Sequence, residues 1–305
     1  MGVNVKLLIA GASGFIGQQL VHYWQQKHTI SVLGRDTKKL ARLFPGNKAI
    51  TWAELPALNP MDFDVVVNLA GETINHFFWT EAVKQKILQS RMQATQALVA
   101  FCCKKPNPQL HFLNASALSI YGLYTAALPI TNAEKTCITQ HAEFLYQVAS
   151  VWEREVEKLT TCQISFTIMR FAVVLAKEGG ALPKLLLPAK LALAARLGNG
   201  QQPFAWIALE DLLNAIDWLV TKKMFGAVNM VAPTLPTQDA FSKCLSEHYH
   251  KPYFLRLPAS LVRLLSKQMA TEILLKGQDA KPQALLESGF CFQFNTIAEY
   301  LKHLS

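Results

Sequence analysis

The sequence predicts an α/β protein, with a doubly wound parallel sheet followed by a small, mainly helical C-terminal cap. Short apolar runs alternate with longer helical patterns in the first third of the chain, which is typical of βαβ units. A glycine-rich turn directly follows the first apolar run. From residue 237 onward, the helical patterns are short and are broken by proline and glycine. These observations predict a core over residues 1–246 and a cap over residues 247–305.

Seven strands and two long helices can be placed along the core. Each strand segment is apolar enough to be covered on both faces, as in a parallel sheet. The strands are predicted at residues 5–10, 29–34, 49–52, 64–70, 110–115, 166–175 and 227–232. The helix predicted at residues 80–104 is the clearest, because its apolar side chains recur at near-helical spacing, and a second is predicted at residues 143–159.

The composition indicates an ordered protein with a basic surface. Of the 305 residues, 51% are hydrophobic and 17% are charged, which excludes an intrinsically disordered chain and allows a large core. The 30 basic and 21 acidic residues give a net charge of +9. Because the basic residues occur in short pairs such as Lys38 and Lys39, we predict no nucleic-acid site. The positive charge favours a small-molecule ligand that carries phosphate.

The six cysteines predict neither a zinc site nor a disulfide framework, because they lack C-x-x-C spacing and paired histidines. A reducing, cytoplasmic location fits this usage best. The apolar run at residues 7–10 is too short for a signal-peptide core, and no segment approaches the roughly 20 apolar residues that cross a bilayer. We therefore expect no membrane association.

The turn after the first strand has the pattern G-x-x-G-x-x-G. It reads Gly11, Ala12, Ser13, Gly14, Phe15, Ile16 and Gly17. The first glycine permits a tight turn, the second lets backbone amides approach a pyrophosphate, and the third lets the helix pack close to the strand. Because a strand precedes this turn and a helix follows it, the pattern predicts a dinucleotide site.

The end of the second strand selects between the two nicotinamide cofactors. An acidic residue there would bind the ribose hydroxyls of NAD, whereas an arginine would bind the 2′-phosphate of NADP. Arg35 directly follows this strand, and Lys38 and Lys39 add positive charge nearby. We therefore predict NADP (NADPH) as the cofactor. The alternative is that Asp36 turns back to the ribose while Arg35 faces solvent.

Further motifs extend this pattern over nearly the whole chain. They are Asn68-Leu69-Ala70-Gly71-Glu72, Trp79 with Lys84, Ser90-Arg91, Ala115-Ser116, Tyr121-Gly122, Trp152-Glu153, Gly179-Gly180-Ala181-Leu182, Gly198 with Gly200-Gln201, Trp206-Ile207, Asp211-Leu212 and Gly289-Phe290. With these motifs in this order, the chain resembles the epimerase-family branch of the extended short-chain dehydrogenases/reductases. Members of this group are often labelled nucleoside-diphosphate sugar epimerases.

The resemblance implies a Rossmann core that binds a nicotinamide dinucleotide across the carboxyl ends of the strands, with the substrate between core and cap. Its implied cofactor contacts are Gly11, Ser13, Gly14, Phe15 and Ile16 for the pyrophosphate, Arg35 for the ribose phosphate, Glu54 and Leu55 for the adenine edge, and Leu69, Ala70, Gly71 and Glu72 for the inner ribose. Ala12, Gly17 and Asn68 complete this predicted set, and Arg170 is expected near the nicotinamide. A homodimer is compatible with this class.

The usual catalytic pair of short-chain reductases is missing. These enzymes use a tyrosine whose pKa is lowered by a lysine four residues later. Counted back from Glu153, the two positions are occupied by Leu145 and Ala149. Tyr146 is one residue out of register, about 100° around a helix, so it does not replace the base. The resembling family shares this departure, which leaves the family assignment intact and removes the usual proton acceptor.

Two hydroxyl groups remain as candidate catalytic residues. Ser116 occupies the usual serine position after the fifth strand and can bond to a substrate oxygen, or it can simply stabilise a turn. Tyr121 lies on the loop beyond and either supplies a proton or packs as an aromatic ring. Glu72 is a candidate for ribose binding or acid–base chemistry, with a salt bridge as the alternative, and Trp206 is expected to pack under the substrate pocket.

Several other polar residues are interpreted as structural. His76, His111 and His141 belong to no catalytic or metal-ligand arrangement. The only Y-x-x-x-K sequence, from Tyr23 to Lys27, falls in the first helix and is interpreted as a surface coincidence.

Two functions follow from these features. The leading hypothesis is an NADP-dependent oxidoreductase or epimerase-like enzyme that transfers a hydride at a secondary carbon, with Ser116 positioning the oxygen. The alternative is a non-catalytic NADP-binding sensor or partner-docking protein that has lost turnover. The resemblance suggests a nucleotide sugar as substrate, whereas the residues themselves leave the substrate open.

Overall fold

The computed structural model describes residues 4–76, 78–122, 143–265 and 267–304. The strands are β1 (Lys6–Ala10), β2 (Thr29–Gly34), β3 (Lys48–Thr51), β4 (Val65–Asn68), β5 (His111–Ala117), β6 (Ser165–Phe171), β7 (Val173–Leu175), β8 (Ala195–Leu197), β9 (Trp206–Ala208), β10 (Gly226–Met230) and β11 (Leu255–Leu257). The helices are α1 (Phe15–Trp24), α2 (Thr37–Leu43), α3 (Glu81–Lys104), α4 (Phe144–Glu157), α5 (Leu182–Lys190), α6 (Leu209–Thr221), α7 (Gln238–His248), α8 (Ala259–Leu265), α9 (Lys267–Met269), α10 (Gln283–Glu287) and α11 (Ile297–Leu304). A π-helical turn spans Ala270–Leu274.

Seven strands form one parallel sheet in the order β10-β6-β5-β4-β1-β2-β3. The chain runs from β1 outward through β2 and β3, then returns to pair β4 with the other edge of β1. This reversal creates a crevice at the carboxyl ends of β1 and β4, where ligands collect in open parallel sheets. The predicted doubly wound α/β fold is confirmed.

Helices cover both faces of this sheet, which explains why its strands are apolar throughout. One face packs against α1 and α6, where Leu20, Trp24 and Ile216 are fully buried. The other face packs against α3 and the chain after α4, through residues such as Leu98 and Leu159. Burial of each such side chain stabilises the fold by roughly 1.5–3 kcal/mol.

The strand predicted at residues 166–175 is two strands that belong to different sheets. The amide of Ala172 still donates to the Met230 carbonyl (3.1 Å) at the end of β10, whereas the amide of Val173 donates to Ala205 (3.1 Å). The segment after Ala172, β7, then pairs with β9 in a separate two-stranded sheet. The apolar pattern continues across the junction, so it gave no signal for this change of partner.

The C-terminal region is mainly helical, as predicted, and is bonded directly to the core. The carboxylate of Asp211 at the start of α6 accepts hydrogen bonds from the amides of Gln293 (2.7 Å) and Phe294 (3.0 Å). The Tyr300 hydroxyl in α11 donates to the Leu175 carbonyl (3.0 Å). Across the described part of the chain, no helix is both long enough and apolar enough to cross a membrane.

The described cysteines form one disulfide bond, which the absence of a predicted disulfide framework did not anticipate. Cys103 at the end of α3 is bonded to Cys162, which lies in the turn after α4, with their Cα atoms 5.5 Å apart. The two residues are 59 positions apart, and the packing of α3 beside α4 brings them together. Local spacing carries no signal for such a pair, and the cysteine usage therefore no longer supports a reducing location. Cys137 and His141 lie outside the described residues.

Candidate active site

The glycine turn at the end of β1 leaves no room for side chains at two positions. Gly11 has φ = 80°, and a Cβ placed there would lie 2.6 Å from the carbonyl carbon of Leu69. A Cβ on Gly17 would lie 2.3 Å from the Gly11 carbonyl oxygen. The third glycine therefore lets α1 pack directly against the turn, as the sequence pattern predicted.

The N-terminus of α1 faces the crevice between β1 and β4. Its first intrahelical hydrogen bond runs from the amide of Gln18 to the Gly14 carbonyl (2.9 Å), so the amides of Phe15, Ile16 and Gly17 have no carbonyl partner within this fully described helix. Ala12 is buried, and the Ser13 carbonyl accepts from the Gln18 side chain (2.9 Å). Unpaired amides and the helix dipole favour an anion at this position.

A second glycine pair packs onto this site. Gly179 (φ = 92°) and Gly180 (φ = 64°) lie against the ring of Phe15, and a Cβ on Gly179 would be 2.6 Å from the ring atom Cε2. The loop that leads into α5 thus contacts the first residue of α1. The sequence motif contained both glycines but did not reveal this contact.

The end of β2 exposes Arg35 and uses Asp36 for another purpose. The Asp36 carboxylate accepts a hydrogen bond from the Lys39 amide (3.0 Å) and thereby caps α2. Arg35 is exposed immediately after the strand. The Asp36 carboxylate is thus engaged at the start of α2, and the contact between Arg35 and a ribose phosphate stays a prediction.

The two residues predicted for the adenine edge differ in exposure, since Glu54 is exposed and Leu55 is buried. The Glu54 carboxylate accepts from both the amide and the hydroxyl of Thr51 (2.7 Å each), and these hydrogen bonds hold the pKa of Glu54 below its ordinary value. The Leu55 side chain is buried in the core. A contact between these two residues and adenine stays a prediction.

Asn68 fixes the turn that follows β4. Its side-chain amide donates to the Thr95 hydroxyl (2.9 Å) and to Asn114 Oδ1 (2.7 Å), and its Oδ1 accepts from the Ala70 amide (3.1 Å). The side chain is fully buried. Asn68 therefore fixes the backbone of Leu69 and Ala70, which border the predicted ribose site.

Two residues of α3 hold the rest of this turn. The Glu72 amide donates to the Ser90 hydroxyl (2.9 Å), and Arg91 Nη1 donates to the Glu72 carbonyl (2.8 Å). Burial lowers the pKa of Arg91 to about 10, although the charge of Glu72 opposes this shift. A Cβ on Gly71 would lie 3.0 Å from the Arg91 guanidinium carbon, so the turn passes close to this cation. The Glu72 carboxylate lies 3.7 Å from His76 Nε2, a pair that forms a salt bridge only when the imidazole is protonated.

Ser116, Glu153 and Arg170 form a buried polar cluster beyond the sheet crevice. Ser116 and Arg170 are register partners on β5 and β6, and Glu153 reaches them from α4. The Ser116 hydroxyl donates to Glu153 Oε1 (2.6 Å), while Arg170 Nε and Nη2 donate to Oε1 (3.0 Å) and Oε2 (2.8 Å). Although burial alone would lower the pKa of Arg170, the bonds and charge of Glu153 raise it above its ordinary value.

The same arginine extends the cluster to Tyr121. Arg170 Nη1 donates to the Tyr121 hydroxyl (2.8 Å), which in turn donates to Asn229 Oδ1 (2.9 Å). The amide of Asn229 donates to the carbonyl of Lys281 (3.1 Å). Tyr121 is only 3% exposed, so its hydroxyl is engaged by protein on both sides. We call Ser116, Glu153, Arg170, Tyr121 and Asn229 the buried network.

The buried network brings the two predicted catalytic hydroxyls together and adds residues that the sequence reasoning missed. Glu153 was noticed only as part of a motif, and Asn229 was not singled out. A charged residue within an otherwise apolar helix face or buried strand signals a partner, because unpaired buried charges are strongly disfavoured. Glu153 and Arg170 both carry that signal.

The two positions where the catalytic tyrosine and lysine are expected hold apolar residues, and these residues pack among other apolar side chains. Leu145 packs with the Trp79 cluster, and Ala149 is buried beside Tyr121 and Tyr146. Around these positions, α4 supplies neither a phenol nor an ammonium group at the residues that the usual mechanism requires. A role for the Ser116 hydroxyl on β5 at the reaction site stays a prediction.

The residues interpreted as structural have structural contacts. Tyr23 donates to Asn214 (2.9 Å), and Lys27 lies over the Tyr23 ring, 4.1 Å from its centroid. His111 lies at the amino end of β5, where burial lowers its pKa to about 4 and Nε2 is 2.7 Å from the Thr167 hydroxyl.

Trp206 at the start of β9 is fully buried. Its Nε1 donates to the Thr234 carbonyl (3.1 Å), and its ring packs near Tyr300, with the two centroids 5.8 Å apart.

Comparison with known proteins covers both parts of the chain. The family model described as "NAD dependent epimerase/dehydratase family" matches residues 7–230, and "Domain of unknown function (DUF1731)" matches residues 257–304. An epimerase family protein of Staphylococcus haemolyticus is 34% identical over 296 residues, which is 96% of each chain. The crystal structure of human epimerase family protein SDR39U1 with NADPH superposes with a TM-score of 0.85 at 27% identity, over 98% of each chain.

A nucleoside-diphosphate sugar epimerase from Corynebacterium glutamicum shares the fold, with a TM-score of 0.77 at 24% identity. The match covers 99% of the present chain and 58% of that one.

Proposed function

Because this chain belongs to the NAD dependent epimerase/dehydratase family, we propose that it is an NADP-dependent oxidoreductase or epimerase-like enzyme. The observation that carries this proposal is the glycine turn with its unpaired α1 amides, followed at the end of β2 by exposed Arg35. These groups fit a pyrophosphate and a 2′-phosphate at the same crevice.

The chain's own residues divide the proposed cofactor site into three parts. The amides of Phe15 and Ile16 bind the pyrophosphate, Arg35 binds the 2′-phosphate, and the turn from Leu69 to Glu72 borders the inner ribose. The NADPH of the human relative belongs to that protein, and it supports the same choice here together with the capping role of Asp36. When bound, the cofactor supplies or accepts a hydride.

The proposed substrate side is bordered by Ser116. Its hydroxyl hydrogen is directed at Glu153 (2.6 Å), which leaves its oxygen lone pairs available to accept a hydrogen bond from a substrate hydroxyl. The positive charge of Arg170 is neutralised by Glu153, so the network orients polar groups without presenting a net charge. The fold neighbour from Corynebacterium glutamicum makes a nucleoside-diphosphate sugar the first substrate class to test.

Replacing Arg35 with aspartate tests the cofactor assignment. We expect the Kd for NADPH to rise at least tenfold, because a charge-assisted contact to phosphate is lost and replaced by repulsion. The Kd for NADH should change little. Both constants are measured from the fluorescence of the bound reduced cofactor. The matched control is Arg42→Asp, since Arg42 is an exposed arginine in the last turn of α2. Equal losses for both cofactors, or equal effects of both variants, would remove Arg35 from the 2′-phosphate site.

A second candidate function is a non-catalytic NADP-binding sensor. The apolar residues Leu145 and Ala149 favour it, because they stand where the proton acceptor and its lysine are expected. A panel of aldehydes, ketones and nucleotide sugars separates the two functions. Oxidation of NADPH that depends on one substrate establishes an enzyme, whereas tight NADPH binding without turnover on the whole panel favours the sensor.

A further inference from the structure

The C-terminal segment, residues 257–304, bonds to elements that carry the candidate active site. The Glu272 carboxylate contacts the N-terminus of α4. Gln278 Nε2 donates to the carbonyl of Gly122 (3.1 Å), the residue after Tyr121. The Lys281 carbonyl accepts from Asn229. These contacts join residues that are 52 to 156 positions apart in the sequence.

Glu272 caps α4 in place of a local residue. The side chain at the N-cap position, Glu143, makes no capping hydrogen bond. Instead, Glu272 Oε1 accepts from the Phe144 amide (3.1 Å) and Oε2 accepts from the Leu145 amide (2.9 Å). Glu272 is 7% exposed, and Gln268 also donates to its Oε1 (2.8 Å). A buried carboxylate that accepts two first-turn amides also complements the helix dipole.

The helix that Glu272 caps carries Glu153 into the buried network. Glu153 has to meet Ser116 on β5 and Arg170 on β6 at hydrogen-bond distance, so a small shift of α4 along its axis would break those bonds. The carboxylate of Glu272 fixes the beginning of α4. The position of Glu153 therefore depends on a residue of the C-terminal segment.

The Lys281 carbonyl fixes the other end of the network. A carbonyl can only accept, so the Asn229 amide must turn its NH₂ group toward Lys281 and its oxygen toward Tyr121. Tyr121 must then donate to Asn229 and accept from Arg170. Arg170 can only donate and the Lys281 carbonyl can only accept, so the two ends of this series of hydrogen bonds require the same direction, and one of those ends belongs to the C-terminal segment.

We propose that Glu272 is a positioning residue of the active site, and that the C-terminal segment serves to hold α4 and to orient the buried network. This inference depends on the proposed function only in treating the buried network as the substrate side of the site. The contacts themselves can be tested without a known substrate.

The test compares Glu272→Ala, Glu272→Gln and the wild type by two measurements. Hydrogen exchange reports the amides of Phe144 and Leu145. The resonance of Tyr121 in protein with ¹³Cζ-labelled tyrosine, assigned with Tyr121→Phe, reports the far end of the network. In Glu272→Ala we expect exchange of both amides at least tenfold faster and a displaced Tyr121 resonance. Glu272→Gln keeps one acceptor oxygen, so it should partly restore both signals.

Glu299→Ala is the matched control, because Glu299 caps α11 within the same segment by accepting the amides of Asn295 (2.8 Å) and Thr296 (3.2 Å). It should leave the α4 amides and the Tyr121 resonance unchanged. Wild-type values in both Glu272 variants, or identical changes in Glu272→Ala and Glu299→Ala, would overturn the proposal. If Glu272→Ala does not fold, the test uses Glu272→Gln alone. Faster exchange of the α4 amides and a displaced Tyr121 resonance would support the proposal, and wild-type values of both would overturn it. If the wild-type protein does not bind NADPH, the proposed function is refuted, but the comparison of the Glu272 and Glu299 variants remains valid.

Discussion

The ion pair between Glu153 and Arg170 is the residue-level feature that most constrains the candidate site. Both side chains are less than a tenth exposed, and their bonds also hold Ser116 and Tyr121. Placing two charges in a buried position is favourable only when each is fully paired. Loss of either Glu153 or Arg170 is therefore expected to lower the stability of the fold, independently of any role in a reaction.

Replacing Glu153 with glutamine tests this dependence. The variant keeps the shape of the side chain but leaves Arg170 as a buried cation without a counter-charge, so we expect the free energy of unfolding in urea to fall by about 3–5 kcal/mol. Glu247→Gln is the control, because Glu247 pairs with Lys243 at an exposed site (3.8 Å). Its effect should stay within about 0.5 kcal/mol. Similar decreases in the free energy of unfolding for the two variants would show that the buried ion pair contributes no more to stability than the exposed one.

At the scale of elements, the disulfide connects the two helices that hold the candidate site. The chain of α3 provides Ser90 and Arg91 to the turn after β4, and α4 provides Glu153 to the buried network. Cys103 and Cys162 join the end of α3 to the turn that follows α4. A bond at this place restrains both helices at the edge of the sheet opposite the crevice.

Removing this bond should lower the stability of the whole chain. Because the cysteines are 59 positions apart, the loss of the cross-link in Cys162→Ser is expected to cost about 2–4 kcal/mol of unfolding free energy under oxidising conditions. Cys291→Ser is the control, since Cys291 is an exposed free cysteine. Wild-type protein treated with dithiothreitol should match Cys162→Ser. No difference between oxidised and reduced wild-type protein would contradict the prediction.

For the whole molecule, the sequence was sufficient where the signal is local. The apolar strands and the glycine turn are decided within a few residues, and the parallel sheet followed from them. The end of β6 at Phe171, the Cys103–Cys162 bond and the Glu272 cap depend on partners far along the chain. The pattern of residues along the chain does not predict those contacts, because they form only when the helices pack against the sheet.

The pH dependence of stability tests how completely the core excludes water around His111. Burial lowers the pKa of His111 to about 4, whereas the unfolded chain has the ordinary value of 6.5. Above about pH 6.5 the residue is neutral in both states and has no effect. As the pH falls from about 6.5 to about 4, the unfolded chain binds a proton that the folded chain does not, so stability decreases by up to about 3 kcal/mol.

Urea unfolding of the wild type and of His111→Gln across this interval measures the contribution. The wild type should lose more stability than the variant between pH 6.5 and 4, because glutamine does not titrate. Burial also lowers the pKa of His28, so part of the decrease should persist in His111→Gln and become smaller when His28 is replaced as well. Parallel curves for the wild type and His111→Gln would mean that His111 binds its proton equally well in the folded protein, and that the amino ends of β5 and β6 admit water.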